Sequence, residues 1–591
     1  MDKNTIMGFG LLLALMLGMM YFNQKEELNY KQQQQSDTLA QKKLEIVDSL
    51  ALQANSDTIA HLAGDSSSLV VNEPEEISTI ENEFLIVSFT NKGAYPVKAE
   101  LKKFKTYDGR PLLLFDGKRN LMDYSFKSTN GHVVNTKDLT FISSKTEDQK
   151  VIQFTSAQAQ ITYKLDLNSY LLNVTLMPIN SDKSQNYSLQ WDAESLMTER
   201  DIETQKMYSN VCYNLEKDGY DFFAITEKKD KKFNESVKWL SFKQHYFNTT
   251  LITSSPIISK ADVTAEPIVN KDTSTRLLSD FHSSLSIVPN NQIEFQLFYG
   301  PNDYKLLKSY GKDLEEIVPL SYGIFGFVKY INKWIVMPIF DLLSSMISSY
   351  GLVILILTFI IRLLMSPFSY KSYVSSAKMK ALKPEMDELK AKYGEDKQAF
   401  GVEQMKLYRQ AGVNPLGGCL PALLQLPVFF ALLSFFPHSI QLRQEKFLWA
   451  NDLSTYDSIL DLPFTIPFYG NHISLFTILF VITSILMSLY SMNMTADQSN
   501  PMMKYVPFVM PVMFLGIFNK LPAALTYYYF VSNLITLILQ FVIQNYIIDP
   551  DKIHAQIQAK KSEKPKESKF MQRMQELQKQ QQEKLKKQNP K

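Results

Sequence analysis

Residues 351–373 read GLVILILTFIIRLLMSPFSYKSY, a hydrophobic helix with one arginine, Arg362, set inside it. Counted inward from Tyr350 at 1.5 Å per residue, Arg362 lies roughly 18 Å down the helix. The apolar run continues to Met365 before Ser366-Pro367 and the first lysine, Lys371. A charge at that depth costs about 2.5–3.5 kcal/mol on insertion scales, so it needs water or a partner. Thr358, Arg362, Ser366, Ser369 and Tyr373 recur at helical i, i+3/i+4 spacing and form one polar stripe. Above Thr358 the same face carries Ile354 and Leu355. The stripe therefore starts near mid-membrane and runs to one side only, the pattern of a half-open cavity rather than a pore. The plainer alternative is an arginine that snorkels to nearby headgroups.

Around this helix lie 591 residues with a net charge of +2, so the distribution of charge is informative and its sum is not. A mean hydropathy of −0.14 averages apolar segments against very polar ones. The two cysteines, Cys212 and Cys419, do not suggest a disulfide framework. The seven histidines avoid the interiors of the apolar segments, and no HExxH, CxxC or paired intramembrane carboxylates occur. That pattern argues against a metalloprotease or a proton-relay pump, and no cofactor or metal is expected.

Taken in order, 1–22 reads as an uncleaved signal anchor with its N-terminus in the cytoplasm, and 23–79 as a polar tether. Short Val/Ile/Phe/Tyr/Thr-rich runs separated by turn signals fill 80–300 and predict an antiparallel β-sandwich. Residues 301–348 give a connector and an amphipathic helix, whose Tyr330 and Trp334 suit the membrane–water boundary. Spans are expected at 349–368, 419–436, 474–492, 505–518 and 523–543, which with the anchor makes six. The 371–418 segment carries nine Lys and Arg, whereas the 437–473 loop has only Arg443 and Lys446. Positive-inside then places the hairpin at 369–418 and the basic tail at 549–591 in the cytoplasm. The hairpin is helical, with Met379, Leu382, Met386, Leu389 and Tyr393 in phase and a second helix over 397–411 that ends at Gly412.

Two further spans carry polar stripes: Tyr529, Ser532/Asn533, Thr536 and Gln540 in the last, and Thr477, Ser484, Ser488 and Ser491 in 474–492. Such stripes usually serve helix–helix hydrogen bonding. Gln425 adds a polar group to 419–436. None of these groups is an acid, so Arg362 has no evident internal counter-ion.

The stretches FIIRLLMSPFS, AKMKALKPEMDELKAKYGEDKQ, VNPLGGCLPALLQLPVFFAL and YYYFVSNLITLILQ resemble the YidC membrane-protein insertases. WLSFKQHYF and FYGPNDYKLLKSYGKDLE resemble the Gram-negative long form with its large periplasmic domain. The resemblance implies a multi-pass inner-membrane protein with five core helices around a hydrophilic groove, and a periplasmic β-supersandwich. It implies insertion and folding of nascent membrane proteins, alone or with the Sec translocon, in contact with lipid and without covalent chemistry or a small-molecule substrate. The groove arginine falls on Arg362, with Thr358, Gln425, Tyr528 and Tyr529 as hydrophilic neighbours. Ser366, Ser532 and Asn533 complete the expected groove, and the hairpin and basic tail are expected to hold ribosome or targeting factors. The run Tyr527-Tyr528-Tyr529 leaves open which tyrosine faces the groove. An anion transporter or channel using Arg362 is the alternative; it requires polar residues above Thr358. A β-domain scaffold with passive spans leaves the stripes unexplained.

Overall fold

The computed structural model describes residues 74–562 except 118, 148–149, 254–256, 269–275, 394–395, 414–419 and 493–500. The expected anchor, almost all of the tether, Cys419 and the tail beyond Ser562 lie outside the described residues. The chain divides into two compact units, with the boundary between Ile317 and Val318.

The first unit is built from antiparallel sheets. Ile77–Glu81, Leu85–Thr90, Pro96–Lys105 and Pro111–Phe115 form a four-stranded meander. A nine-stranded sheet runs Gly219–Ala224, Asn210–Leu215, Val237–Lys243, Phe247–Thr253, Ile293–Pro301, Leu171–Pro178, Ala159–Leu165, Val151–Thr155, Ile142–Lys145. A six-stranded sheet centres on Leu277–Ile287 and Tyr187–Leu196. The alternation in these strands sends one face inward. Phe242 of the nine-stranded sheet stacks on Phe281 of the other at 4.6 Å and lies 4.4 Å from Trp191. Aromatic contacts across facing sheets supply much of the buried area.

Both long-form motifs serve this architecture. WLSFKQHYF spans two neighbouring strands, and Asn302 of FYGPND closes the turn between them. Asn302 Nδ2 donates to the carbonyls of Gln244, His245 and Phe247 at 2.9, 3.0 and 3.2 Å. Asp303 caps the helix Tyr304–Tyr310 through Leu306 N–H at 2.8 Å. Cys212 is a buried free thiol.

The second unit is helical. Val328–Ile331, a π-turn over Asn332–Val336 and α1 (Met337–Met346) follow one another without a break. Then come α2 (Tyr350–Ala381), α3 (Lys383–Tyr393), α4 (Lys397–Gln410) and α5 (Leu420–Phe435). After the 437–473 loop follow α6 (Leu475–Met492), α7 (Pro501–Met513), α8 (Leu515–Asn519), α9 (Ala523–Val542) and α10 (Pro550–Ser562). Among the described residues, Tyr350–Ala381 and Ala523–Ile547 are long and apolar enough to cross a membrane, and three shorter apolar helices accompany them.

The helix read over 351–373 extends further: α2 runs 32 residues, through Pro367 to Ala381. Pro367 has no N–H to offer the carbonyl of Leu363, but Ser366 Oγ donates to that carbonyl at 2.8 Å. The first separate helix of the hairpin segment starts at Lys383. A second proline gap is filled from a neighbour. Pro511 leaves the carbonyl of Pro507 free, and Ser488 Oγ of α6 reaches it at 3.0 Å, sharing its one proton with the Ser484 carbonyl at 2.9 Å.

The hairpin has its own core. Leu382 and Met386 meet Leu407 and Tyr408, and Ile553 and Ile557 of α10 close the cluster. Lys561 of α10 bonds Glu385 of α3 at 2.5–2.6 Å. Gly412, at φ +63°, ends the second hairpin helix.

Candidate functional site

Arg362 points from α2 to α9. Its Nε donates to Ser532 Oγ at 2.7 Å, and Nη2 donates to the same oxygen. Ser532 is fully buried. Its hydroxyl partners the guanidinium without neutralising it. The titratable side chains that act on Arg362 are the Tyr528 and Tyr373 phenols, and no carboxylate is among them. One turn before Ser532, Tyr528 lies wholly buried against Ser532 and Gln425. Tyr528 Oη and Gln425 Oε1 have no hydrogen-bond partner among the described residues. A cation, a phenol and an amide oxygen thus converge from three helices, held by a single hydroxyl.

The structure separates the three tyrosines. Tyr528 is the one beside Arg362. Tyr529 turns toward α5, stacks on Phe429 at 5.1 Å and donates to its carbonyl at 3.2 Å. Tyr527 packs between Phe447 and Phe476 at 5.0 and 5.1 Å. Of the remaining expected residues, Thr358 is fully buried and donates to the carbonyl of Ile354 at 2.6 Å. Asn533 faces α6, where its amide donates to Ser484 Oγ at 2.8 Å. Thr358, Tyr529 and Asn533 therefore do not converge on the arginine. A hydroxyl inside a helix readily bonds the carbonyl one turn back, and Thr358 does so. Ser366 lies one turn beyond Arg362, partly exposed, with its hydroxyl engaged at the proline.

At the opposite ends of the helices, Asp457 and Asn519 build a network through Ser474, and Asn332 ties a third point. Asp457, buried in the 437–473 loop, accepts from Ser474 Oγ at 2.5 Å. It also accepts from Leu475 N–H at 2.8 Å, Phe476 N–H at 3.1 Å and Trp449 Nε1 at 2.9 Å. It thereby caps α6 from 17 positions away, where no local motif could reveal it. Asn519 donates to the carbonyls of Tyr469 and His472 at 3.1 and 2.9 Å and accepts from Ser474 N–H at 3.0 Å. The first N–H groups of α9 are met by loop carbonyls, Ala523 to Thr455 at 2.7 Å and Ala524 to Leu453 at 3.0 Å. Asn332, wholly buried in the π-turn, donates to the carbonyls of Leu320 and Ala431 at 2.8 and 2.7 Å. Its signal was visible as one amide on an otherwise apolar helical face.

Apolar helices around a half-buried arginine that has no carboxylate partner among the described residues, preceded by a large antiparallel β-domain on the same chain, have the make-up of a membrane protein with a second, non-membrane domain. Residues 78–342 match the family described as YidC periplasmic domain, and residues 342–550 match the 60Kd inner membrane protein family. The membrane protein insertase YidC of Parabacteroides distasonis is 34% identical over 100% of this chain and 99% of that protein. That of Amoebophilus asiaticus is 35% identical over 98% of both. The chain belongs to the YidC family of membrane protein insertases. Among solved structures, an active YidC insertase with its first transmembrane domain resolved aligns over 80% of this chain and 93% of that one. Its identity is 18% and its TM-score 0.33, so the assignment rests on the sequence matches.

Proposed function

We propose that the chain inserts membrane proteins, and helps them fold, through a hydrated half-membrane groove centred on Arg362, Ser532, Tyr528 and Gln425, with Ser366 toward its mouth. The observation that carries this reading is the arginine itself: among the described residues it has a hydroxyl partner and no carboxylate, beside a phenol and an amide oxygen that face each other without a well-formed hydrogen bond. Buried polar atoms without protein partners call for water. A wet cavity shortens the hydrocarbon path of a polar tail, and Arg362 stabilises an acidic residue in transit. In such a cavity one arginine–carboxylate contact contributes about 1–4 kcal/mol before desolvation is subtracted. The contact has to stay weak, because a strongly held tail would not leave. The apolar part of the client leaves sideways, driven by its own burial in lipid.

On this reading the chain has six spans, the first at 1–22, with both termini in the cytoplasm and the β-domain in the periplasm; the excess of Lys and Arg in 371–418 over 437–473 supports that orientation. The hairpin of α3 and α4, braced by α10, and the basic tail beyond it, with Lys564, Lys566, Lys569 and Arg573, provide sites for a ribosome or targeting factors. The Sec translocon is a partner for larger clients, and no bond is made or broken. The relatives are named insertases rather than transporters, which sets the channel alternative aside.

The test is an in vitro insertion assay with one client whose exported tail carries two acidic residues, one or none. Arg362→Lys should be tolerated, Arg362→Ala should slow the acidic tails, and Arg362→Glu should slow them further. Neutral tails should change little. Equal impairment of every tail would mean that Arg362 shapes the groove without pairing with the client.

A further inference from the structure

The loop between α5 and α6 carries a small hairpin, Leu460–Ile466 paired with Gly470–Ile473. Its composition is unusual for a loop in water: residues 459–471 read ILDLPFTIPFYGN, with Asp461 as the one charge. The inner strand is fixed, since Gly470 and His472 are buried, His472 Nε2 donates to the carbonyl of Asn519 at 2.7 Å and its ring stacks on Tyr456 at 3.6 Å. The outer strand is bare on both faces. Ile459, Leu460 and Ile466 are exposed, Phe464 is 60% exposed and Phe468 is 77% exposed.

Three features oppose an aqueous role for this tip. A two-stranded ribbon with apolar side chains on both faces and an open edge has no core of its own and invites aggregation. Phe468 sits at φ +67°, a left-handed position where asparagine or glycine fits and a bulky aromatic does not. Its ring therefore has a use that outweighs the backbone preference. Finally, the tip is seated on a membrane helix: a Cβ at Gly516 of α8 would lie 2.3 Å from the carbonyl oxygen of Phe468. Beside that seat, Ile517, Val512 and Val509 are exposed along α8 and α7, so the apolar surface of the hairpin continues the apolar surface of these helices.

We propose that this hairpin is a lipid-binding wedge: Phe464, Ile466 and Phe468 insert among the upper acyl chains of the leaflet on the side of the 437–473 loop. The proposal rests on the reading that α7 and α8 lie in the membrane. The ribbon stays at the headgroup boundary because its open edge keeps unpaired backbone groups that hydrocarbon would not satisfy. Residues 462–465 leave the ladder register, and Pro463 and Pro467 each remove one N–H from this stretch, which lessens the cost of approach to lipid. The hairpin thereby anchors the network around Asn519 to the bilayer surface.

Full-length protein with Cys212 and Cys419 replaced by alanine, reconstituted into phosphatidylethanolamine–phosphatidylglycerol vesicles, tests this. An environment-sensitive fluorophore is attached at Phe464→Cys or Phe468→Cys, with Asn130→Cys as the aqueous control and Leu363→Cys, on the exposed face of α2, as the lipid control. Labels at 464 and 468 should emit to the blue and be quenched by lipids spin-labelled high on the acyl chain. Their quenching by aqueous iodide should be about threefold weaker than at Asn130. Iodide quenching equal to that at Asn130 overturns the proposal by placing the hairpin in water. Protection from both quenchers overturns it by placing the hairpin against protein, and a dependence on protein-to-lipid ratio identifies a second copy of the chain as that protein. If the Leu363 label is not quenched by lipid, the membrane reading beneath the proposal fails first.

Discussion

The two ends of the helical unit differ in how completely their buried polar groups are bonded. Where the 437–473 loop covers the helices, the buried polar groups of Asp457 and Asn519 meet several donors or acceptors each, and helix N-termini are answered by loop carbonyls. Toward the helical hairpin, Arg362 shares one hydroxyl, and Tyr528 Oη and Gln425 Oε1 have no partner among the described residues. Completed hydrogen bonding fixes one arrangement, and incomplete hydrogen bonding invites water or a passing polar chain. The difference is one of degree, since Asn332 Oδ1 at the loop end also lacks a partner among the described residues: the bundle knits that end together through Asp457 and Asn519 and leaves the arginine end less completely bonded.

Asp457→Ala is the hardest blow to the closed end. It strips four donors of their acceptor and should cost about 4 kcal/mol, read as lowered thermal unfolding in detergent and as proton leak in vesicles. A stable, tight variant would show that the loop closes without this network. Gly351→Ala tests the packing beneath it: the new Cβ would fall 2.0 Å from the Phe447 ring. A loss of about 2 kcal/mol is expected, largely recovered in the double variant with Phe447→Ala, as overpacking requires.

At the receptive end the effects are smaller. Ser532→Ala removes the acceptor of Arg362 and should cost about 1 kcal/mol. Because water can replace the hydroxyl, insertion of clients with acidic tails should slow modestly rather than stop, in the same assay as the Arg362 series. The smallest change is expected for Glu385→Gln, which breaks a partly exposed ion pair to Lys561 worth about 0.5 kcal/mol. Hydrogen exchange should then show faster opening of α10, with the remaining helices unaffected.

Much of this was readable beforehand, and the failures have physical causes. Strands followed from composition and alternation: the Val/Ile/Phe/Tyr/Thr-rich runs of 80–300 include the strands Val151–Thr155 and Ile293–Pro301. The arginine helix was evident because an isolated charge among apolar residues is hard to mistake. That it runs on past Tyr373 to Ala381 was not evident, because Pro367 weakens a helix and the repair by Ser366 depends on a rotamer. Helical spacing put Thr358 and Ser366 on the arginine's stripe but could not tell whether a hydroxyl points outward or back to its own carbonyl. Three tyrosines in a row cover most of a helix circumference, so only packing against Phe429 decides that Tyr529 faces away and Tyr528 faces Arg362. Asp457 went unnoticed because its partners lie up to 19 positions away, beyond any local pattern.

The reach of Ser488 to the carbonyl of Pro507 makes the proline gap in α7 a joint possession of two helices. A proline that creates a vacancy in one helix, answered by a hydroxyl on the next, cannot be inherited or redesigned one helix at a time. Loss of Ser488 would strand a carbonyl dipole in hydrocarbon, and loss of Pro511 would leave the serine redundant. Across relatives, residues 488 and 511 are therefore expected to change together, leaving a trace of their pairing in sequence alone.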